Sequence, residues 1–193
     1  MGKQDTTMIV DVETILYAYY PRGAALTELL LDHSRRVRDK ALAVAAGLCE
    51  KSDMAFIGEA AFLHDIGIGQ TAAPDIHCHG AQPYVCHGII GRQILENHGL
   101  ERHALVCERH VGTGITSEDI VRRKLPLPMR DMRPRSLEEQ IICYADKFFT
   151  KSSGGRELDF QAIVAGLARY GPEKVQTFRA WHQRFQVFRR QPF

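Results

Sequence analysis

With 193 residues, 45% of them hydrophobic, the chain is long enough to bury a core, and a single domain over residues 1–193 is expected. A formal net charge of +2 is too small to indicate nucleic acid or an anionic membrane as an obligatory partner. The apolar runs are too short to span a membrane, no export signal opens the sequence, and five scattered cysteines favour reduced thiols in the cytoplasm.

Apolar residues recur at three- and four-residue steps along most of the chain, which predicts an all-α fold. Strand-like alternation is scarce, so at most a short hairpin is expected near the loops. The predicted helices span residues 6–19, 25–50, 53–66, 87–98, 101–110, 117–124, 136–150, 158–169 and 172–189. The stretches 71–84 and 125–134 are predicted to be irregular, either as loops around a site or as solvated connectors. The last helix has an apolar stripe that predicts a core or dimer contact, so a homodimer is compatible with the sequence; it comprises Val175, Phe178, Trp181, Phe185 and Phe188.

Histidine and aspartate side chains interrupt the apolar faces of several predicted helices. His33 lies on the apolar stripe of the helix over 25–50, where it is either a core histidine bonded to a backbone carbonyl or a ligand. His64 and Asp65 follow each other at the end of the buried helix over 53–66. A buried polar pair costs free energy unless it is compensated, and a divalent metal ion compensates for it best.

The rest of the chain supplies further residues of this kind. His87 begins one predicted helix, and His110 ends the next one before a glycine-rich breaker. Asp146 shares a helix face with Ile142 and Phe149, so its carboxylate is directed toward the core. Histidines and carboxylates together bind Mn, Fe, Zn, Co or Ni, and this mixture of ligands does not discriminate among these metals.

Four segments between about residues 26 and 150 carry most of these side chains. They are His33-Ser-Arg-Arg-Val37, His64-Asp65-Ile66-Gly67, His87-Gly-Ile-Ile-Gly91-Arg-Gln-Ile94-Leu95 and Tyr144-Ala-Asp146-Lys147. Their order resembles the HD-domain superfamily of metal-dependent phosphohydrolases, and the additional His87 and His110 resemble its binuclear members.

One segment departs from the best-known binuclear pattern. The stretch from Arg109 to Gly114 is similar to that of the HD-GYP cyclic-dinucleotide phosphodiesterases, but it lacks a second histidine and the Tyr-Pro pair. Ile68 stands where many members carry a phosphate-binding lysine. These departures argue against cyclic-dinucleotide hydrolysis and leave the expected metal ligands intact.

The resemblance implies a helical bundle with about two divalent transition-metal ions (Fe, Mn, Zn, Co or Ni) in its core. Asp65 is implied as the bridging and catalytic residue, because it would fix the metal-activated water that attacks the phosphorus. The implied ligands are His33, His64 and Asp146 for one ion and His87 and His110 for the other.

The implied substrate is a phosphomonoester or phosphoanhydride of a nucleotide or similar metabolite. Four cations are candidate phosphate contacts or, alternatively, ordinary surface cations; they are Arg92, Lys147, Lys151 and Arg156. A second enzyme class stays open, because some HD proteins use a di-iron pair with the same six ligands to oxygenate a small polyol or phosphonate. A third interpretation is a nucleotide-binding domain without catalysis.

Other sequence patterns give weaker or negative indications. A rival structural zinc site could use His77, Cys78, His79, Cys86 and His87, but their spacing matches no common zinc finger. The remaining histidines of the helices are predicted to lie on helical surfaces or ends; they are His98, His103 and His182. Motifs of P-loop, dinucleotide-binding, zincin and α/β-hydrolase proteins are absent from the sequence.

Overall fold

The computed structural model describes residues 10–151 and 156–187, and these ranges are mainly helical. The α-helices are α1 (Val12–Tyr19), α2 (Ala25–Ala46), α3 (Met54–Leu63), α4 (His87–Asn97), α5 (Glu101–Arg109), α6 (Ser117–Arg123), α7 (Leu137–Asp146), α8 (Phe160–Ala168) and α9 (Pro172–Val187). The all-α prediction is confirmed, and the predicted helices are found with ends that differ by a few residues. Residues 6–9 and 188–189 of the predicted terminal helices lie outside the described residues. None of the described helices is both long and apolar enough to cross a membrane.

Side-chain caps determine where several helices begin. At the start of α3, Asp53 accepts a hydrogen bond from the Phe56 backbone N–H at 3.0 Å. Ser136 accepts one from the backbone N–H three residues on, at 3.1 Å, at the start of α7. Each cap satisfies a backbone donor that has no partner within its own helix. These two helices lead directly to His64 and Asp146.

Two large buried apolar clusters fill most of the interior of the described ranges. The first lies between α2, α3 and α7 and includes the inner faces of α8 and α9. The second lies between α1, the first half of α2, the end of α3, α4 and α5. Phe178, Trp181 and Phe185 belong to the first cluster, so this described part of the last helix makes a core contact. His33 lies on α2 between Leu31, which belongs to the second cluster, and Val37, which belongs to the first. His64 directly follows Leu63, which belongs to the second cluster.

A small sheet occupies the first stretch that was predicted to be irregular. Its strands are β1 (Thr71–Ala73), β2 (Cys78–His79) and β3 (Gln82–Pro83), in the order β2-β1-β3. Strand β1 pairs antiparallel with β2 and parallel with β3. Strands of two or three residues are too short to show a period-two pattern, so the sequence could not predict them.

Gly67 allows the start of α4 to approach the loop that follows α3. A Cβ atom at this position would lie 2.1 Å from the His87 carbonyl oxygen and 2.4 Å from the Gly91 nitrogen. Both atoms belong to the backbone, which cannot turn aside as a flexible side chain can. Position 67 therefore requires glycine if His87 is to lie beside His64 and Asp65.

Candidate metal centre

Six buried side chains meet between the two apolar clusters, each at most 6% exposed. They come from five helices or from the residues that follow them: His33 from α2, His64 and Asp65 after α3, His87 at the start of α4, His110 after α5 and Asp146 at the end of α7. Their donor atoms form two groups, and within each group the atoms lie within 4.8 Å of one another. The first group is His33, His64, Asp65 and Asp146, and the second is Asp65, His87 and His110.

Asp65 belongs to both groups because its two carboxylate oxygens face different histidines. Oδ2 lies 3.0 Å from His64 Nε2 and 3.2 Å from His33 Nε2. Oδ1 lies 3.5 Å from His87 Nε2 and 3.4 Å from His110 Nε2. A carboxylate placed in this way can serve two ions, one on each side.

Backbone carbonyls determine which ring nitrogen of three histidines is available. The Nδ1 atoms of His64, His87 and His110 lie 2.6 to 2.8 Å from the carbonyl oxygen of the residue three positions earlier. A carbonyl only accepts hydrogen bonds, so Nδ1 carries the proton and the lone pair of the neutral ring is on Nε2. The Nε2 atoms of His87 and His110 then face each other at 3.0 Å, where a shared cation would satisfy both lone pairs.

Four buried atoms of these six side chains make no hydrogen bond within the described part of the chain. One is His33 Nδ1, and the other three are His64 Nε2 and both carboxylate oxygens of Asp65, which have ion-pair partners near them. Buried polar atoms are nearly always hydrogen-bonded in native proteins, so atoms left in this way indicate a missing partner. Divalent ions would satisfy His64 Nε2 and both oxygens of Asp65, and the set of histidine and carboxylate donors fits such ions.

Two lysines balance the charges of the two aspartates. Lys151 Nζ lies 2.5 Å from Asp65 Oδ2, and Lys147 Nζ lies 2.7 Å from Asp146 Oδ2. Burial alone would raise the pKa of both carboxyl groups. Instead, His64 and Lys151 hold the pKa of Asp65 well below its ordinary value, and Lys147 does so for Asp146. Both aspartates are therefore ionised and able to bind a cation.

The histidines of the two groups differ in protonation. Burial lowers the pKa of His64, but the attraction of Asp65 reverses this effect and raises it to about 9. Burial and the neighbouring His110 lower the pKa of His87 to about 3, and burial also lowers the pKa of His110. His87 and His110 are therefore neutral near pH 7, as metal ligands must be, whereas His64 must release a proton when it binds an ion.

The four cations that were candidate phosphate contacts divide into two pairs. Lys147 and Lys151 lie at the centre and are mostly buried. The Arg92 guanidinium instead pairs with the buried carboxylate of Glu108 at 2.6 Å, and Arg156 is exposed. The structure thus brings two of the four cations to the aspartates, and contact of any of them with substrate stays a prediction.

The structure tests two sequence interpretations that concern histidines outside the centre. His103 was expected on a helical surface or at a helix end; it lies in the first turn of α5, but its ring is buried and lies 3.1 Å from Glu59 Oε2. Glu59 lies on another helix, so no local pattern could reveal this partner. The rival zinc cluster is not supported, because its remaining members form no group of three close donors within the described residues; they are His77, Cys78, His79 and Cys86.

Sequence reasoning missed several of the residues that line a cavity beside the centre. This cavity has a volume of about 370 Å³, and His87 and Lys147 form part of its lining. Thr113 and Lys174 contribute other parts of the wall. The only sequence signal for Thr113 was the pair of glycines on either side of it, after His110. These glycines predicted a turn, but they did not predict that the turn lies next to the ligands.

The HD domain family matches residues 30–150 of the chain. The tRNA (cytidine(56)-2'-O)-methyltransferase of Thermoplasma volcanium is 30% identical over 167 residues, which are 86% of this chain and 44% of that protein. An uncharacterized protein of Methanocaldococcus jannaschii is 35% identical over 124 residues, which are 62% of this chain and 66% of that protein. The tRNA (cytidine(56)-2'-O)-methyltransferase of Picrophilus torridus is 34% identical over 120 residues, 62% of this chain and 31% of that protein. The matches thus span less than two thirds of each relative, and no solved structure matches the chain significantly.

Proposed function

The chain belongs to the HD domain family, and we propose that it is a metal-dependent phosphohydrolase with two divalent transition-metal ions. Its substrate in this proposal is a phosphomonoester or phosphoanhydride of a nucleotide or similar metabolite. One observation carries the proposal: Asp65 lies between two groups of buried histidines whose Nε2 atoms converge on its two oxygens. Phosphoryl transfer chiefly needs positive charge held in place around the phosphorus, and this arrangement suits two cations.

The ligands proposed for each ion are the side chains of one group, with Asp65 shared between the two. When bound, the ions would supply Lewis acidity and lower the pKa of a water molecule to near neutrality. The protein contributes rigidity, because the carbonyl bonds to Nδ1 hold the rings of His64, His87 and His110 in one orientation. Burial of all six side chains keeps bulk water from screening the charges of the centre.

Lys147 and Lys151 are proposed to bind the phosphoryl oxygens. Each ammonium group now pairs with an aspartate oxygen of the centre. Cations that neutralise Asp65 and Asp146 would weaken these ion pairs and leave the two ammonium groups for another anion. Lysine suits this change of partner because its positive charge is carried on a flexible stem.

The names of two relatives state another activity for those proteins, which is methyl transfer to tRNA. More than half of the length of each of them lies outside the part that this chain matches. A centre of four buried histidines and two aspartates has no evident use in transferring a methyl group to a ribose hydroxyl. The proposal for this chain therefore includes neither methyl transfer nor tRNA.

Phosphate release from a panel of nucleotides tests the proposal. The full-length protein would be stripped with a chelator and reloaded separately with Mn, Fe, Co, Ni or Zn. We expect release that depends on the metal and stops when the chelator is added again. Oxygen consumption with the iron-loaded protein, together with a visible absorption band and no phosphate release, would favour the di-iron oxygenase. No release with any of the five metals would contradict a phosphohydrolase acting on nucleotides.

A further inference from the structure

The cavity beside the metal centre is larger than a phosphoryl group alone requires. Its lining includes His87 and Lys147 of the centre and also Tyr170 and Arg123. Leu167 and other apolar side chains contribute to the wall. Its volume of about 370 Å³ is within the range of small-molecule sites, so there is room for the organic part of a substrate.

The Thr113 hydroxyl is an unused polar group in this wall. The residue is 3% exposed, and its Oγ1 has no hydrogen-bond partner among the residues that the structure describes. The glycines on either side, Gly112 and Gly114, have φ angles of +64° and +93°, which other residues rarely adopt. The turn therefore places a buried hydroxyl in the cavity wall, and a ligand with a polar group could complete its hydrogen bonding.

A buried ion pair holds this turn in place. The Lys174 ammonium donates a hydrogen bond to the Gly114 carbonyl oxygen at 2.8 Å and pairs with the Asp119 carboxylate. Both charged residues are buried, and Asp119 also belongs to the capping box at the start of α6. The turn and the helix that ends at Arg123 are thus fixed relative to each other before a ligand arrives, which reduces the entropy cost of binding.

Arg123 and Tyr170 are exposed residues of the cavity lining, and together they form a flat cationic surface. The guanidinium carbon of Arg123 lies 4.6 Å from the centre of the Tyr170 ring, as in a cation–π contact. Tyr170 is 41% exposed, and within the described ranges no carboxylate forms an ion pair with Arg123. Aromatic and guanidinium planes of this kind stack well against a nucleobase.

We propose that this cavity binds the leaving group of the substrate and that this leaving group is a nucleoside. The sugar would bind the Thr113 hydroxyl, and the base would stack on Tyr170 and Arg123. The placement of the phosphoryl group beside His87 and Lys147 rests on the proposed function. Binding of the nucleoside itself does not, because it requires no hydrolysis.

Calorimetric titration of the metal-loaded, full-length protein with adenosine, guanosine, cytidine and uridine tests the proposal directly. We expect at least one nucleoside to bind, and Tyr170→Ala to weaken that binding about tenfold, as expected for loss of a stacking contact. Thr113→Val should weaken it about tenfold by removing one hydrogen bond. Tyr19→Ala is the matched control, because this tyrosine is 42% exposed and is not part of the cavity lining.

Conservative variants separate a direct contact from a loss of folding. Tyr170→Phe keeps the ring and Thr113→Ser keeps the hydroxyl, so both should bind nucleosides within about twofold of the parent. No nucleoside binding by the parent, or equal binding by Tyr170→Ala, Thr113→Val and Tyr19→Ala, would overturn the proposal. Nucleoside binding that depends on both residues, in a protein that releases no phosphate, would contradict the proposed function and the role of the nucleoside as a leaving group, but it would confirm the cavity as a nucleoside site.

Discussion

Asp65 is the residue on which both groups of the centre converge. It is fully buried, and an ionised carboxylate in that position is strongly disfavoured unless opposite charges surround it. His64 and Lys151 provide this compensation on the Oδ2 side, while neutral histidines face Oδ1. The Oδ1 side of Asp65, where both facing histidines are neutral, is therefore the one that most needs a cation.

Replacing Asp65 with alanine should slow phosphate release about a thousandfold or more, because the side chain proposed to contact both ions is lost. The helical fold should remain, since removing a buried carboxylate also removes its desolvation cost. Steady-state phosphate release and circular dichroism measure the two effects. Asp75→Ala is the matched control, because this carboxylate is exposed. Hydrolysis by Asp65→Ala near the parental rate would refute the mechanism.

Metal binding should release a proton from His64 and become weaker as the pH falls. The reason is that the pKa of His64 is raised to about 9 beside Asp65, so at neutral pH an ion must displace a proton. The apparent affinity should therefore increase as the pH rises toward 9. Calorimetry in two buffers with different ionisation enthalpies measures the protons released. Metal binding without proton release at pH 7 would contradict this account.

At the scale of the helices, two contacts between elements determine the shape of the site. The loop after α3 meets the start of α4 at Gly67, and this contact sets the distance between Asp65 and His87. The ion pair of Asp119 and Lys174 joins α6 to α9 in the wall of the cavity. The first contact depends on the absence of a side chain, and the second depends on buried charge.

Gly67→Ala should destabilise the protein by about 3 kcal/mol, because its Cβ would overlap backbone atoms of α4 that cannot move independently. Gly166→Ala is the matched control. It lies inside α8, where a Cβ would meet nothing within 4 Å, so it should be neutral or stabilise by up to about 1 kcal/mol. Urea unfolding measures the free energy of unfolding of both variants. Equal stability of the two variants would contradict the close approach at Gly67.

Asp119→Asn should lower stability in a pH-dependent way. Burial alone would raise the pKa of Asp119, but hydrogen bonds from Lys174 and the Thr116 backbone lower it from 3.8 to about 2. The pKa of Asp119 is thus lower in the folded protein than in the unfolded chain. The ionised carboxylate therefore stabilises the fold above about pH 4, and this stabilisation is lost as the pH falls through about 2. Urea unfolding should show a deficit of about 2 kcal/mol at pH 7 that shrinks between pH 4 and 2. A deficit of unchanged size at pH 2 would rule out an ionic origin.

At the scale of the whole molecule, local patterns were sufficient to predict the helices and to select the six side chains that meet in the core. The apolar repeat of α2 predicted both the helix and the inward position of His33, because burial and helical period act within one segment. The resemblance also selected Lys147 and Lys151, which lie beside the aspartates. Their roles toward metal and substrate stay predictions.

Contacts between distant segments could not be predicted in this way. Arg92 was expected near the phosphate, but Glu108 on the next helix pairs with it. Lys174 contacts the carbonyl of Gly114, and nothing in either segment indicates the other. The position of Thr113 in the cavity follows from such contacts, so it emerges only from the assembled structure.

The number of metal ions bound per chain decides whether Asp65 is shared between two ions. Elemental analysis of the full-length protein, after reloading and removal of free metal, should give about two ions per chain. His110→Ala should lower this number to about one, because the second group loses a ligand while the first keeps all of its members. His98→Ala, which removes an exposed histidine, should leave it at about two. One ion per chain in the parent, with the same number in His110→Ala, would contradict a centre built around a shared Asp65.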